Sequence, residues 1–230
     1  MARKAVRARV ALSGPAIVRA AIAIADEDGL SAVTMREVAQ RLGVTAMALY
    51  RHVANREVLV ELMIDHVVGE FAYPEPRPSG WRETLRVMAV QDWRSYFAHP
   101  WMLAATATSA PPTGPRQLAS MEWSLTGFDN LDLSGPEKLY LLGVVSSYGR
   151  GLALTWIAGF LAGGGDRERT AHRWREGPDA LSYPRLNEVA AAIGAEPVPG
   201  GLIEEEFEFG LARVLDGIQV YLERRVLYTL

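Results

Sequence analysis

The chain has 230 residues, 49% hydrophobic and 22% charged, which is material for one large or two modest globular domains and excludes a disordered chain. It contains no cysteine, so disulfides and thiolate metal sites are excluded and a reducing, cytoplasmic setting is expected. The net charge of −3 conceals a split, +4 over residues 1–60 and −7 over residues 61–230, the arrangement expected of a phosphate-facing head on a body that does not touch nucleic acid.

The first stretch carries Arg3, Lys4, Arg7 and Arg9 without an apolar core of signal-peptide length, and reads as a basic arm over residues 1–12. Ser13 and then Pro15 start a first helix, Ile17, Ala20, Ala21, Ile24 and Ala25 give it a buried stripe, and Gly29 ends it. Asp26, Glu27 and Asp28 fall at its C-terminal end, where the helix dipole disfavours acid, and solvent exposure is the one account the sequence offers for them.

Thr34 to Arg56 carries the functional pattern. Thr34 is a natural N-cap, Val38, Ala39 and Leu42 form an apolar stripe, Gly43 supplies a left-handed residue, and Thr45 starts a second helix. Two short helices joined by so brief a turn cross steeply, so the second has one buried and one presented side, which suits a DNA major groove. At ~100° per residue, Val44, Ala48, Leu49 and Val53 face the core while Thr45, Ala46, Met47, Tyr50 and Arg51 face outward.

Asn55 caps a linking helix over residues 55–72, and Pro74, Pro76 and Pro78 break the pattern after it. Further helices are expected from Trp81 (capped by Ser79) to Ala98, briefly after Pro100, from Gln117 to Phe128, from Ser134–Glu137 to about Ala162, from Pro184 to Ile193 and from Leu202 to Arg225. Residues 164–182 read as a flexible loop. No alternating strand pattern occurs, so the fold class is all-α. Arg150 interrupts the longest apolar region, so no membrane span is expected.

At Thr34, Ala39, Leu42-Gly43-Val44, Leu49-Tyr50-Arg51-His52-Val53 and Arg56-Glu57 the chain resembles the tetracycline-repressor (TetR) family of bacterial transcriptional regulators. The resemblance implies an N-terminal three-helix helix-turn-helix DNA-binding domain, residues 1–60, and a larger helical ligand-binding and dimerisation domain, residues 61–230. It implies Thr34, Tyr50, His52 and Arg56 as phosphate ligands. By side-chain chemistry, Arg36 can fork onto guanine, Thr45, Ala46 and Met47 suit thymine methyl groups, and Arg51 offers a second guanine or a phosphate contact. Ala54 stands where many members carry a lysine, which removes one phosphate contact.

In the body, Phe207, Leu211, Val214, Ile218 and Tyr221 recur at helical spacing, as do Leu139, Leu142, Val145, Gly149 and Leu152 on the earlier long helix. The resemblance makes these a four-helix interface of a homodimer, which requires a roughly palindromic double-stranded operator; an ordinary core is the other reading. Met88, Trp93, Phe97, Trp101, Met102, Trp123, Tyr148 and Trp156 either fill a core or enclose a small hydrophobic or aromatic effector. Ala72 and Ala104–Thr108 provide no histidine for a metal-held drug, so magnesium–tetracycline, and any metal or cofactor, is not expected. Catalytic motifs are absent: there is no thiol, HExxH, phosphate loop or G-x-S-x-G. The sequence therefore reads as a ligand-responsive repressor and not an enzyme. The alternatives are a regulator without effector or acting as an activator, and, in a different class, a helical small-molecule-binding protein or enzyme.

Overall fold

A computed structural model describes residues 12–107, 113–161, 172, 174, 176, 182–192 and 202–228, so the basic residues Arg3, Lys4, Arg7 and Arg9 lie outside the described residues. Helices form where the caps are. The Ser13 hydroxyl accepts from the Ala16 amide to open α1 (Gly14–Asp28), and Gly29 closes it with φ 82°. Thr34 Oγ1 accepts from Glu37 N at 3.1 Å to open α2 (Met35–Leu42), which Gly43 ends in the left-handed region at φ 67°. A side chain there would cost ~1 kcal/mol or more. The short α3 (Ala46–Tyr50) follows, then α4 (Arg56–Val68), capped by Asn55 Oδ1 on Val58 N at 2.8 Å. α4 stops short of the expected residue 72, because the chain turns at Gly69, whose amide bonds back to the Asp65 and His66 carbonyls.

These helices close around Ile17, Ala21, Ile24, Val33, Val38, Leu49, Val53, Leu59, Met63 and Val67, all buried. Each large aliphatic side chain so buried contributes roughly 1.5–3 kcal/mol. α1 packs on α2 and α4, and α4 packs also on α7 (Pro115–Leu125). Between them lie α5 (Trp81–Ala98) and α6 (Trp101–Ala105). The N-cap of α5 is Gly80, not Ser79: the chain enters at φ 83°, which only glycine accepts without strain, and the Gly80 carbonyl takes Thr84 Oγ1 at 2.9 Å. α7 starts at Pro115, before the expected Gln117, and gives way to a 3-10 turn at Thr126–Phe128. In α8 (Gly135–Leu161), Ser134 N donates to Glu137 Oε2 at 2.9 Å and Glu137 N to Ser134 Oγ at 3.4 Å, a reciprocal capping box.

The chain divides into two compact units, residues 1–143 and 144–230. The second holds most of α8 together with α9 (Pro184–Ala192) and α10 (Leu202–Tyr228). Here Tyr148 Oη donates to the Glu206 and Phe207 carbonyls at 2.9 and 3.1 Å, and Trp156 Nε1 donates to Glu206 Oε2 at 2.9 Å. A Cβ at Gly210 would strike Tyr148, so that glycine is what lets α10 approach α8. Within 164–182 only residues 172, 174, 176 and 182 are described; the first three are helical, where a loop was expected.

Most of the stripe expected at the dimer interface is spent inside the protomer. Leu142, Val145, Gly149, Phe207, Leu211 and Ile218 are buried, Leu152 and Val214 are half-buried, and only Leu139 and Tyr221 are exposed. The reason is local: a Cβ added at Gly149 would come within 3.7 Å of the Phe207 ring, so these sides of α8 and α10 pack on each other within one chain. Among the described residues no strand occurs, and no helix is long and apolar enough to cross a membrane.

Candidate functional site

α3 is anchored by Leu49 (fully buried) and by Val53 just beyond it, and this fixes what it presents. Met47 is 73% and Tyr50 47% exposed, large apolar surfaces that the chain itself leaves uncovered. Thr45, Arg51 and His52 are exposed as well, and Ala46 is half-buried. The Thr45 hydroxyl makes no capping bond. Arg36 is exposed in the first turn of α2. The Thr34 hydroxyl accepts from Glu37 N and keeps its own proton to donate. The presented side of α3 and the residue after it thus carry a methyl and thioether surface, a phenol and the Arg51 guanidinium, and α2 adds the exposed Arg36, the groups suited to thymine methyls, phosphate oxygens and guanine edges.

Arg56 departs from the expected phosphate role. Its Nε donates to Val33 O at 2.7 Å and its Nη2 to Leu30 O at 2.8 Å. The guanidinium thereby ties the start of α4 to the 3-10 turn Leu30–Ala32 that precedes α2. The planar fork satisfies two carbonyls at once in a pre-organised geometry, with less conformational freedom lost than for a lysine.

Two polar junctions join α4 and α1 to the helices that follow, and neither was visible in the sequence. Asp65 is only 6% exposed, yet its carboxylate is satisfied: Oδ1 accepts from Arg116 N at 2.7 Å and Gln117 N at 3.1 Å. It is the N-cap of α7 supplied from another helix, placed at the positive end of that helix's dipole. A Cβ on Gly114 would collide with it, which explains the glycine. At the second junction the His99 ring lies between Asp26 Oδ1, 2.8 Å from Nδ1, and Glu70 Oε2, 3.2 Å from Nε2. Trp101 Nε1 donates to the same Asp26 oxygen at 2.8 Å. The acidic end of α1 therefore has partners: Asp26 meets His99 and Trp101, while Glu27 meets Arg41 of α2, which holds the Glu27 carboxyl below its usual range. The available signal for Asp65 was a carboxylate directly after the apolar triplet Leu62–Ile64.

The expected effector residues separate into two groups. Met88, Trp93, Trp101, Met102 and Trp123 are buried and Phe97 half-buried in the first unit, with the Trp93 and Phe97 rings 4.7 Å apart. Tyr148 and Trp156 belong to the second unit, their donors engaged on α10. Burial and the neighbouring Glu206 and Glu208 push the Tyr148 phenol up. Trp123 has a stacked partner that the sequence did not suggest, Tyr73, at 4.1 Å between centroids and 11° between planes. Tyr73 Oη is 2.7 Å from Ser120 Oγ, and burial, with Asp92 adding to it, pushes the phenol up to about 12. Among the described residues Trp123 Nε1, which is buried, has no acceptor.

A cap-defined helix pair presenting an uncovered recognition edge, continued by a helix bonded into a larger helical body, defines a DNA-binding regulator of the helix-turn-helix class. The profile of the bacterial regulatory proteins, tetR family, matches residues 17–63, and that of the tetracyclin repressor-like C-terminal domain matches residues 73–222. The chain belongs to the tetracycline-repressor family of transcriptional regulators. It is 34% identical over 217 residues, 91% of this chain and 78% of the relative, to the HTH-type transcriptional repressor DrrR1 of Streptomyces coeruleorubidus. The fold matches apo ActR of Streptomyces coelicolor with a TM-score of 0.75 at 27% identity, covering 95% of this chain and all (100%) of that one. It matches ActR in complex with actinorhodin with a TM-score of 0.74 at 27% identity, covering 93% and 98% of the two chains.

Proposed function

We propose that this chain is a cytoplasmic repressor that binds a palindromic operator as a homodimer and is released by a small aromatic effector. In this reading residues 1–60 read the DNA and residues 61–230 bind the effector and dimerise. The observation that carries the DNA half is the uncovered edge Thr45–Met47–Tyr50–Arg51 on a fully buried anchor, with Arg36 exposed on α2. Large apolar groups held rigidly in water call for a partner surface.

Dimerisation is supported by the outward side of α8 and α10. Val144, Ser147, Gly151, Leu154 and Ala158 recur at helical spacing along α8 and are all exposed, and Phe209, Gly217, Val220 and Tyr221 are exposed on α10. A Cβ at Gly151 or Gly217 would meet nothing in the protomer. Glycine inside a helix costs ~1 kcal/mol against alanine, so close approach by a second copy is the reason for these two. The dimer face is thus a stripe offset from the one the sequence suggested.

Effector control is supported by the similarity to ActR in complex with actinorhodin and by how α4 is held. α4 spans about 20 Å; Arg56 bonds its first turn to the head and Asp65 bonds its last turns to α7. Movement of α7 therefore displaces the head. A shift of a few Å between recognition helices spaced at ~34 Å suffices to lose two half-sites at once. The test is titration of the purified protein onto its own upstream DNA across salt concentrations. Sequence-selective binding that falls steeply with salt is expected; binding without sequence preference would defeat the proposal.

A further inference from the structure

The corner between α5 and α6 holds a cluster of ionisable groups that the DNA-reading edge does not use. His99 closes α5, its amide bonding to the Ser95 carbonyl at 2.8 Å, and 12% of its side chain is exposed. Its two ring nitrogens face two carboxylates from different elements: Asp26 of α1, 2.8 Å from Nδ1, and Glu70, just beyond α4, 3.2 Å from Nε2. Asp26 Oδ1 also accepts from Trp101 Nε1 at 2.8 Å, and the other oxygen of Glu70 lies 3.6 Å from His66 Nε2.

Among the described residues no arginine or lysine pairs with Asp26 or Glu70. Arg41 is engaged by Glu27, with Asp28 beside it, and Arg94 of α5 is exposed. α6, which packs on α4 and on the 3-10 turn Leu30–Ala32, brings no ionisable side chain, and neither does that turn. The two histidines are therefore the cations that these carboxylates can meet.

Proton counting fixes what the arrangement requires. A neutral imidazole has one N–H and one lone pair, so it donates to one carboxylate and turns a lone pair towards the other; only the imidazolium donates to both. Both arms thus exist together only while His99 carries its second proton, and histidine is the side chain that ordinarily exchanges one between about pH 5 and 8.

We propose that His99 is a proton-operated clamp between head and body: its imidazolium fastens the end of α1 to the segment after α4 and to the α5–α6 corner, and loss of the proton opens one arm and lowers operator affinity. The proposal rests on the operator-binding reading above and adds protons to what controls it. Asp26 ends the same helix whose Ile17, Ala21 and Ile24 share a core with Leu49 of α3, so the clamp holds the direction in which the reading edge is presented. A two-fold operator is met by two heads, and heads held in one orientation lose less freedom on binding than heads that rock.

The experiment titrates operator with the full-length protein at constant ionic strength from about pH 6 to about pH 8.5, across the histidine range, in the wild type and in His99→Phe, Glu70→Gln and His66→Gln. Nitrogen NMR spectra of the His99 ring are taken over the same range. His52, on the reading edge, is present in all four proteins, so its own titration is common to them. Between the acid and alkaline ends the wild type loses about threefold to tenfold more affinity than His99→Phe, since each of the two protomers opens one partly exposed arm. The Gln amide of Glu70→Gln donates to the ring lone pair while the ring N–H serves Asp26, so a neutral imidazole keeps both arms. This variant therefore has the shallow slope of His99→Phe, yet gains on the wild type as pH rises, an outcome that a merely structural histidine would not give and that is read even if His99→Phe folds poorly. His66→Gln keeps the wild-type slope. A His99 ring with one protonated nitrogen over the whole range overturns the proposal, as do equal slopes in the wild type and Glu70→Gln, or loss of the steeper slope in His66→Gln. Failure of the wild type to bind operator at any pH sinks the regulator reading instead, while the ring spectra still report on the clamp.

Discussion

Replacing Arg56 by alanine separates two accounts of how the head works. A phosphate ligand at this position would add about one unit to the slope of log affinity against log salt. The structure instead engages Nε and Nη2 on the Val33 and Leu30 carbonyls at 2.7 and 2.8 Å, in a part-buried setting. Hydrogen bonds from a charged donor contribute roughly 1.5–3 kcal/mol each, and water recovers part of the loss at the two carbonyls. The expected cost of Arg56→Ala is therefore about 3 kcal/mol, or ~6–12 °C in melting temperature for a chain of this size. The salt slope should not change. Arg56→Lys sharpens the comparison, because an ammonium keeps the charge but lacks the pre-organised fork: it should recover no more than about half of the lost stability. Thermal melts and operator titrations at four salt concentrations suffice. A slope shallower by one unit in Arg56→Ala with an unmoved melting temperature, and near-normal behaviour of the lysine variant, would refute the reasoning.

Arg36→Ala should relax preference at a single operator position by ~1–3 kcal/mol while leaving binding to the other positions intact, read by competition with single-base operator variants. Leu154→Glu, on the outward side of α8, should yield a folded monomer with greatly weakened operator binding, whereas Leu211→Ala should cost ~2–5 kcal/mol of stability because that side chain is 1% exposed; sedimentation and melting distinguish the two. A third prediction concerns alkaline stability. Tyr73 is raised from 10.0 to about 12, so the folded state retains a proton that the unfolded state releases; this contribution is complete below pH 10 and is lost as pH rises towards 12, by roughly 3 kcal/mol. Tyr73→Phe should remove that part of the alkaline decline, and identical pH–stability curves for the two proteins would count against the burial of the phenol.

What could be read from the sequence follows the range of the interactions. Ser13, Thr34, Asn55 and the Ser134/Glu137 pair act on amides three residues away, and Gly43 acts through its own backbone, so the chain order alone contains them. With the caps fixed, the buried side of α3 follows from Leu49 and Val53, and the presented residues from what remains. The functions of Arg56, Asp65 and Asp26 lie beyond that range, since their partners are 23, 51 and 73 residues distant. Nothing in local pattern distinguishes a guanidinium meant for phosphate from one meant for a carbonyl. The apolar stripe was open to two readings, dimer face or core, for a different reason. α8 is apolar on more than one side, so periodicity finds Val145 and Gly149 as readily as Val144 and Gly151, and only the packing of Phe207 decides which side faces inward. Tyr73 gave no signal, being one aromatic residue in a proline-rich connection.

Asp65 capping α7 has a bearing on modularity. The matched family segments end at residue 63 and resume at residue 73, and a genetic engineer would place a crossover in that interval. Yet the carboxylate at position 65 completes a helix that begins at Pro115, in a space that only Gly114 leaves open. A foreign head grafted with its own residue at 65 would leave two amides of α7 without an acceptor, and a foreign body carrying a side chain at 114 would push α4 aside. Reading heads are exchangeable here only as far as Asp65 and Gly114 are inherited together, which makes this pair the seam at which hybrid regulators should be cut.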